Sequence, residues 1–139
     1  MVMALADTSA WTSHERSPAA REEFTAMLRR GELATCRMVV VELLKTPRNA
    51  RELAMRRADL EQLRDLPITR RQWDRAADVL EALADRPPGL HRGVPVQDLL
   101  VAAAAEAAEV PVLHYDRHFE LIAEVTGQPV RALAPLGSL

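Results

Sequence analysis

Four acidic side chains stand where apolar stretches of this 139-residue chain break off. Asp7 follows Met1–Ala6, Glu42 interrupts Val39-Val40-Val41-Glu42-Leu43-Leu44, Asp98 lies in Val94-Pro95-Val96-Gln97-Asp98-Leu99-Leu100, and Asp116 follows Val110–His114. Apolar flanks suit none of them to a fully solvated surface. Brought together, four carboxylates repel one another and lose hydration, so they stay ionised only if something compensates. A hard divalent cation does so. Mg2+ takes one or two carboxylates and keeps several waters. Such an ion activates a water and holds the oxygens of a phosphodiester.

Each acid also has a plainer role open to it. Asp7 suits a helix N-cap. Asp98 could merely complement a helix dipole. Glu42 could lie on a solvated helix face, and Asp116 could be a turn residue. The other reactive types are thinner. Cys36 is the one cysteine, so there is neither an intramolecular disulfide nor a cysteine zinc cage, and it reads as a small buried residue. His114 and His118 straddle a strand end, which spoils their spacing for zinc. His118 is expected to face solvent or to approach a bound phosphodiester substrate. Trp73 reads as core or interface, and the pairs Arg29-Arg30, Arg56-Arg57 and Arg70-Arg71 as solvated helix faces. No phosphate-binding glycine loop of the P-loop type is present.

The elements around these residues alternate. Met1–Ala6 reads as a buried strand. Ser17-Pro18 opens a helix whose face is Ala20, Phe24, Met27 and Leu28, and Gly31 closes it. Leu33–Cys36 is a short strand. The next segment, Met38–Val41, is β-rich by propensity yet continues as helix into Glu42–Lys45, and local sequence does not decide. Asn49–Arg64 reads as a helix with Ala50, Leu53, Ala54, Leu60 and Leu63 on one side. Leu66-Pro67-Ile68 is an extended link. Thr69 caps a helix with Trp73, Ala76, Ala77, Leu80 and Leu83 in register. A loop from Arg86 to Gly93 leads to a helix from Pro95 to about Ala108 that is apolar nearly all round and so buried. Strand Val110–His114, helix Arg117–Thr126 and edge strand Val130–Leu133 follow. Strands alternating with helices predict an α/β protein, a three-layer α/β/α sandwich around a central, mostly parallel sheet. Active sites of such sheets gather beyond the carboxyl ends of the strands, where these acids stand. Residues 1–139 are expected to form a single domain.

Composition is that of a soluble globular protein, 48% hydrophobic and 27% charged. With 18 basic and 20 acidic residues the net charge is -2, which argues against unspecific coating of nucleic acid. No apolar run approaches the roughly 20 residues a membrane span needs. The start of the chain lacks a basic leader, so a cytoplasmic location and no membrane partner are expected.

Asp7-Thr8-Ser9 after its strand, Glu42 in its valine-leucine run, Asp98 after Val94-Pro95, and His114-Tyr115-Asp116-Arg117-His118-Phe119 together resemble the PIN-domain nucleases. Their order and spacing along nearly the whole chain look like the VapC toxins of bacterial type II toxin–antitoxin pairs. The resemblance implies an acidic pocket of Asp7, Glu42, Asp98 and Asp116, with Asp7 and Asp98 as principal metal ligands. Glu42 and Asp116 would complete the site directly or through water, and Thr8 or Ser9 would orient a ligand or a water. It implies Mg2+, with Mn2+ as substitute, and hydrolysis of structured RNA such as tRNA or rRNA loops. It also implies a homodimer and a cognate VapB-like antitoxin, seated between the helices Pro18–Arg30 and Asn49–Arg64. It places Glu42 on a helix. Many relatives carry a second acid two residues after the last one, where this chain has His118, so a second ion would have one carboxylate fewer. A processing nuclease without an antitoxin, or an idle binding module of the same fold, are the rival readings.

Overall fold

The computed structural model describes residues 1–139. Five short strands make one sheet: β1 (Ala4–Ala6), β2 (Leu33–Thr35), β3 (Arg64–Asp65), β4 (Val112–His114) and β5 (Val130–Ala132). Their spatial order is β3-β2-β1-β4-β5, and every pairing is parallel. The registers Leu5↔Ala34 and Leu5↔Val112 put β1 at the centre. The alternation of side chains across a strand then fills both faces. Leu5, Ala34 and Val112 join the larger core, whereas Ala4, Ala6, Leu33 and Leu113 join the smaller one with Phe24 and Met27. The three-layer α/β arrangement expected from the sequence is therefore present.

Seven α-helices cover the sheet. α1 (Thr8–Ser13) and α2 (Pro18–Arg29) contribute Ala10, Ala20 and Phe24 to the smaller core. α2 starts as expected, with Ser17 accepting from the Ala20 N–H and Pro18 in the first turn. The larger core takes Val39, Val40 and Leu43 of α3 (Arg37–Leu43), Leu60 of α4 (Ala50–Leu60), Ala76, Val79 and Leu83 of α5 (Arg70–Ala84), and Phe119 and Ile122 of α7 (Arg117–Thr126). Its centre is α6 (Val96–Ala107), buried from Asp98 through Ala105. A bidentate pair from Arg75 to Glu106, at 2.7 and 3.1 Å, ties α5 to α6. No helix is long and apolar enough to cross a membrane.

The structure decides one stretch that local sequence left open and departs from the sequence reading in three places. Met38–Val41 is helix, because Val39, Val40 and Leu43 share one buried face only at helical spacing. The Asn49 helix ends at Leu60 and buries only that residue, so Leu53 and Ala54 do not face the core. Arg64-Asp65 forms an exposed fifth strand on the β2 edge, where two residues carry no periodicity to read. Arg37 holds this edge, donating to Asp65 at 3.1 Å and to Glu61 at 2.9 Å. The buried face of α5 is rotated from the expected one: Gln72, Ala76, Val79 and Leu83 face inward, while Trp73 is 51% exposed. The cause is the cap, because the Gln72 side chain turns back to accept from the Thr69 N–H at 2.7 Å. Trp73 is thus no core residue.

Candidate active site

Strand ends and helix starts position the four acids. Asp7 follows β1 and caps α1, accepting from the Ser9 N–H at 2.9 Å and the Ser9 hydroxyl at 2.6 Å. The same hydroxyl accepts the Tyr115 N–H at 2.9 Å. Ser9 therefore fastens Asp7 to the end of β4, across 106 residues of chain. Glu42 lies in the last turn of α3 and accepts from the Thr8 hydroxyl at 3.2 Å. Asp98 stands in the first turn of α6. Asp116 follows β4 and caps α7, accepting from the His118 N–H at 3.0 Å. The capping role open to Asp7 is thus filled, Asp116 proves to be a helix cap rather than a turn residue, and the caps aim both carboxylates.

All four acids line one cavity of about 300 Å³, together with Thr8 and Ser9. Asp7 and Asp98 are buried; Glu42 and Asp116 are half-buried. Burial is the main force on the ionisation of Asp7, Glu42 and Asp98, and repulsion from neighbouring carboxylates adds to it. It raises Asp7 above the ordinary carboxylate range, against the Ser9 hydrogen bonds. It raises Glu42, against the Thr8 bond, with Asp7 adding to the rise and Lys45 pulling the other way. Asp98 is pushed up to about 8, by burial first and then by Asp7, Asp116 and Glu42. No Arg or Lys forms an ion pair with any of the four. The set lacks a fixed cation and consists of hard oxygen donors, which is what a divalent ion fits.

His118 was expected to face solvent or RNA. Instead its Nδ1 lies 3.1 Å from Asp98 Oδ2 and 2.9 Å from Asp116 Oδ1. Asp98, Asp116 and His118 each offer a ligand atom, all within 4.8 Å of one another, and could hold a metal ion. Sequence reasoning missed this placement, because the side chain turns back over the Asp116 cap with the rotation of the first turn of α7. His114, not assigned a role from sequence, is wholly buried and accepts the Asp116 N–H on Nδ1 at 3.1 Å. Its Nε2 is 3.2 Å from Glu120 but off the axis of a hydrogen bond. Burial pushes His114 below the usual histidine range, which keeps Nδ1 an acceptor for Asp116. Cys36 is buried and its thiol is pushed up to about 11, so it is no nucleophile.

A second, larger cavity of about 800 Å³ runs between α2 and α4, floored by Trp11, Leu28, Leu43, Leu60 and Leu63. Thr12 lines both this groove and the acidic pocket.

Known proteins resemble the chain in sequence and in fold. The PIN domain family model matches residues 4–125. Ribonuclease VapC18 of Mycobacterium tuberculosis is 33% identical over 133 residues, 96% of each chain. Ribonuclease VapC21 of the same species is 38% identical over 124 residues, 87% of each chain. Among solved structures, DNA-bound VapBC from Salmonella typhimurium aligns with a TM-score of 0.68 at 18% identity, covering 96% of this chain and 100% of that one. VapBC2 from Rickettsia felis, bound to a promoter DNA fragment, gives 0.70 at 11% identity, covering 94% and 98%. These two likenesses are of fold.

Proposed function

The chain belongs to the PIN-domain family, in its VapC branch, and from that premise we propose that it is a Mg2+-dependent endoribonuclease, the toxin of a VapBC-type pair. The observation that carries this reading is the convergence of four chain-distant acids in one cavity, with Asp98 driven to about 8 by burial and then by the neighbouring carboxylates.

Asp7 and Asp98 are the principal metal ligands, and Glu42 and Asp116 complete the site. Thr8 and Ser9 orient Glu42 and Asp7 through their hydroxyls. A bound divalent ion there supplies an activated water and neutralises charge developing on the phosphate. The protein residues hold the site rigid, and no covalent nucleophile is needed. The substrate is structured RNA, with tRNA or rRNA loops as targets, read by shape and exposed bases.

The α2–α4 groove is the seat for a VapB-like antitoxin. Trp11, Leu28, Leu43, Leu60 and Leu63 give the groove an apolar floor, and an amphipathic segment laid along it would cover that surface. Because Thr12 belongs to both cavities, a basic side chain of that segment can reach the acids. A homodimer and a cytoplasmic location complete the reading, with the exposed Trp73 as part of the contact between copies.

The test is purified protein on total RNA with Mg2+, with EDTA, and as Asp98→Asn. Cleavage should need Mg2+ and fall by more than about 100-fold in the variant, exceeding the effect typical of a supporting residue. Cleavage that survives both EDTA and the substitution would overturn the reading.

A further inference from the structure

We propose that His118 is a nitrogen ligand of the divalent ion in the acidic pocket, and that it tilts the site from Mg2+ towards Mn2+. This rests on the reading of the pocket above.

The argument is geometric first. In an octahedral ion with bonds of about 2.1 Å, neighbouring ligand atoms stand about 3 Å apart. His118 Nδ1 lies 2.9 Å from Asp116 Oδ1 and 3.1 Å from Asp98 Oδ2. The nitrogen already stands at the separation of an adjacent corner from each of the two oxygens, and all three ligand atoms lie within 4.8 Å of one another. The arrangement is held from both ends. The His118 N–H donates to the same Asp116 oxygen that its ring faces, and Asp116 is in turn fixed by His114. The ring is only 22% exposed, so it is not a surface side chain that happens to pass by.

The donor type then sets the preference. Oxygen donors suit Mg2+, whereas imidazole favours first-row transition ions, whose affinities rise from Mn2+ onward. A neutral imidazole also brings one negative charge fewer than a carboxylate at the same position. Mg2+, held largely by charge, loses more from that exchange than Mn2+ does.

The experiment is Mn2+ titration of the metal-free full chain followed by electron paramagnetic resonance, with Mg2+ as competitor. The spectrum of bound Mn2+ is then examined for coupling to a directly bound nitrogen. Wild type should show that coupling, and His118→Asp should lose it while still binding Mn2+. The preference for Mn2+ over Mg2+ should fall about tenfold in His118→Asp. His118→Gln, which keeps a polar side chain without an imidazole, should lose the coupling too and guards against misfolding of the first variant. His114 cannot supply the signal, since its ring is wholly buried and its Nδ1 is engaged. Bound Mn2+ without nitrogen coupling, or coupling and preference unchanged in both variants, overturns the assignment of His118. If Asp98→Asn still abolishes Mn2+ binding in that case, the pocket reading stands. Failure of wild type to bind Mn2+ at all overturns both.

Discussion

At the scale of single residues, the pocket is built from caps and hydroxyls as much as from acids. Ser9 carries two roles with one oxygen, donating to Asp7 and accepting from Tyr115. Ser9→Ala should therefore misaim Asp7, lowering RNA cleavage by roughly 10- to 100-fold. It should cost only about 1 kcal/mol of stability by denaturant titration. A loss of activity no larger than the loss of folded protein would show that Ser9 merely packs. The four acids were legible in the sequence because apolar neighbours make a solvated carboxylate implausible. The inward turn of His118 was not, since it follows from the rotation of the first turn of α7 about the Asp116 cap, which no local pattern encodes. His114 was equally silent: a histidine closing an apolar strand looks the same whether it packs or accepts a bond.

At the scale of elements, long periodic helices were legible and short or competing ones were not. α2 carries a cap and a stripe, and α6 a long apolar run after Pro95, and each leaves one reading. α1 is six residues without a distinct apolar stripe, and β3 is two charged residues that become a strand only by pairing with β2. Around Val39 propensity pointed to strand while packing required helix, and packing prevailed, as tertiary context commonly does. α4 is the informative case. Its sequence suggests an inward face, yet only Leu60 is buried. A helix with so little anchorage opens locally at low cost. Its amides should exchange with deuterium at least about tenfold faster than those of α6, which is buried from Asp98 to Ala105. Equal protection in both helices of the isolated protein would mean that α4 needs no partner to hold it.

At the scale of the whole molecule, the acids couple folding to pH. Asp98 has an ordinary value of 3.8 and is pushed up to about 8, so between these limits the folded protein binds more protons than the unfolded chain. Its contribution to stability is therefore full below about pH 4 and lost as pH rises through about 8. Asp7 and Glu42, also raised, act in the same sense. The melting temperature without metal should fall between about pH 5 and pH 8.5. Asp98→Asn should flatten that slope, and so should saturating Mg2+, which binds only the folded form. A metal-free slope that is unchanged in Asp98→Asn would contradict this. Assembly offers a separate measurement: sedimentation should find a dimer, with Trp73→Glu shifted to monomer, and a monomeric wild type would end the homodimer proposal. The dispersal of the pocket along the chain has one more consequence. Asp7 follows β1, whereas the fourth carboxylate, Asp116, follows β4. A chain cut short before Asp116 holds at most three of the groups. Such a fragment cannot assemble the ion-binding pocket proposed above.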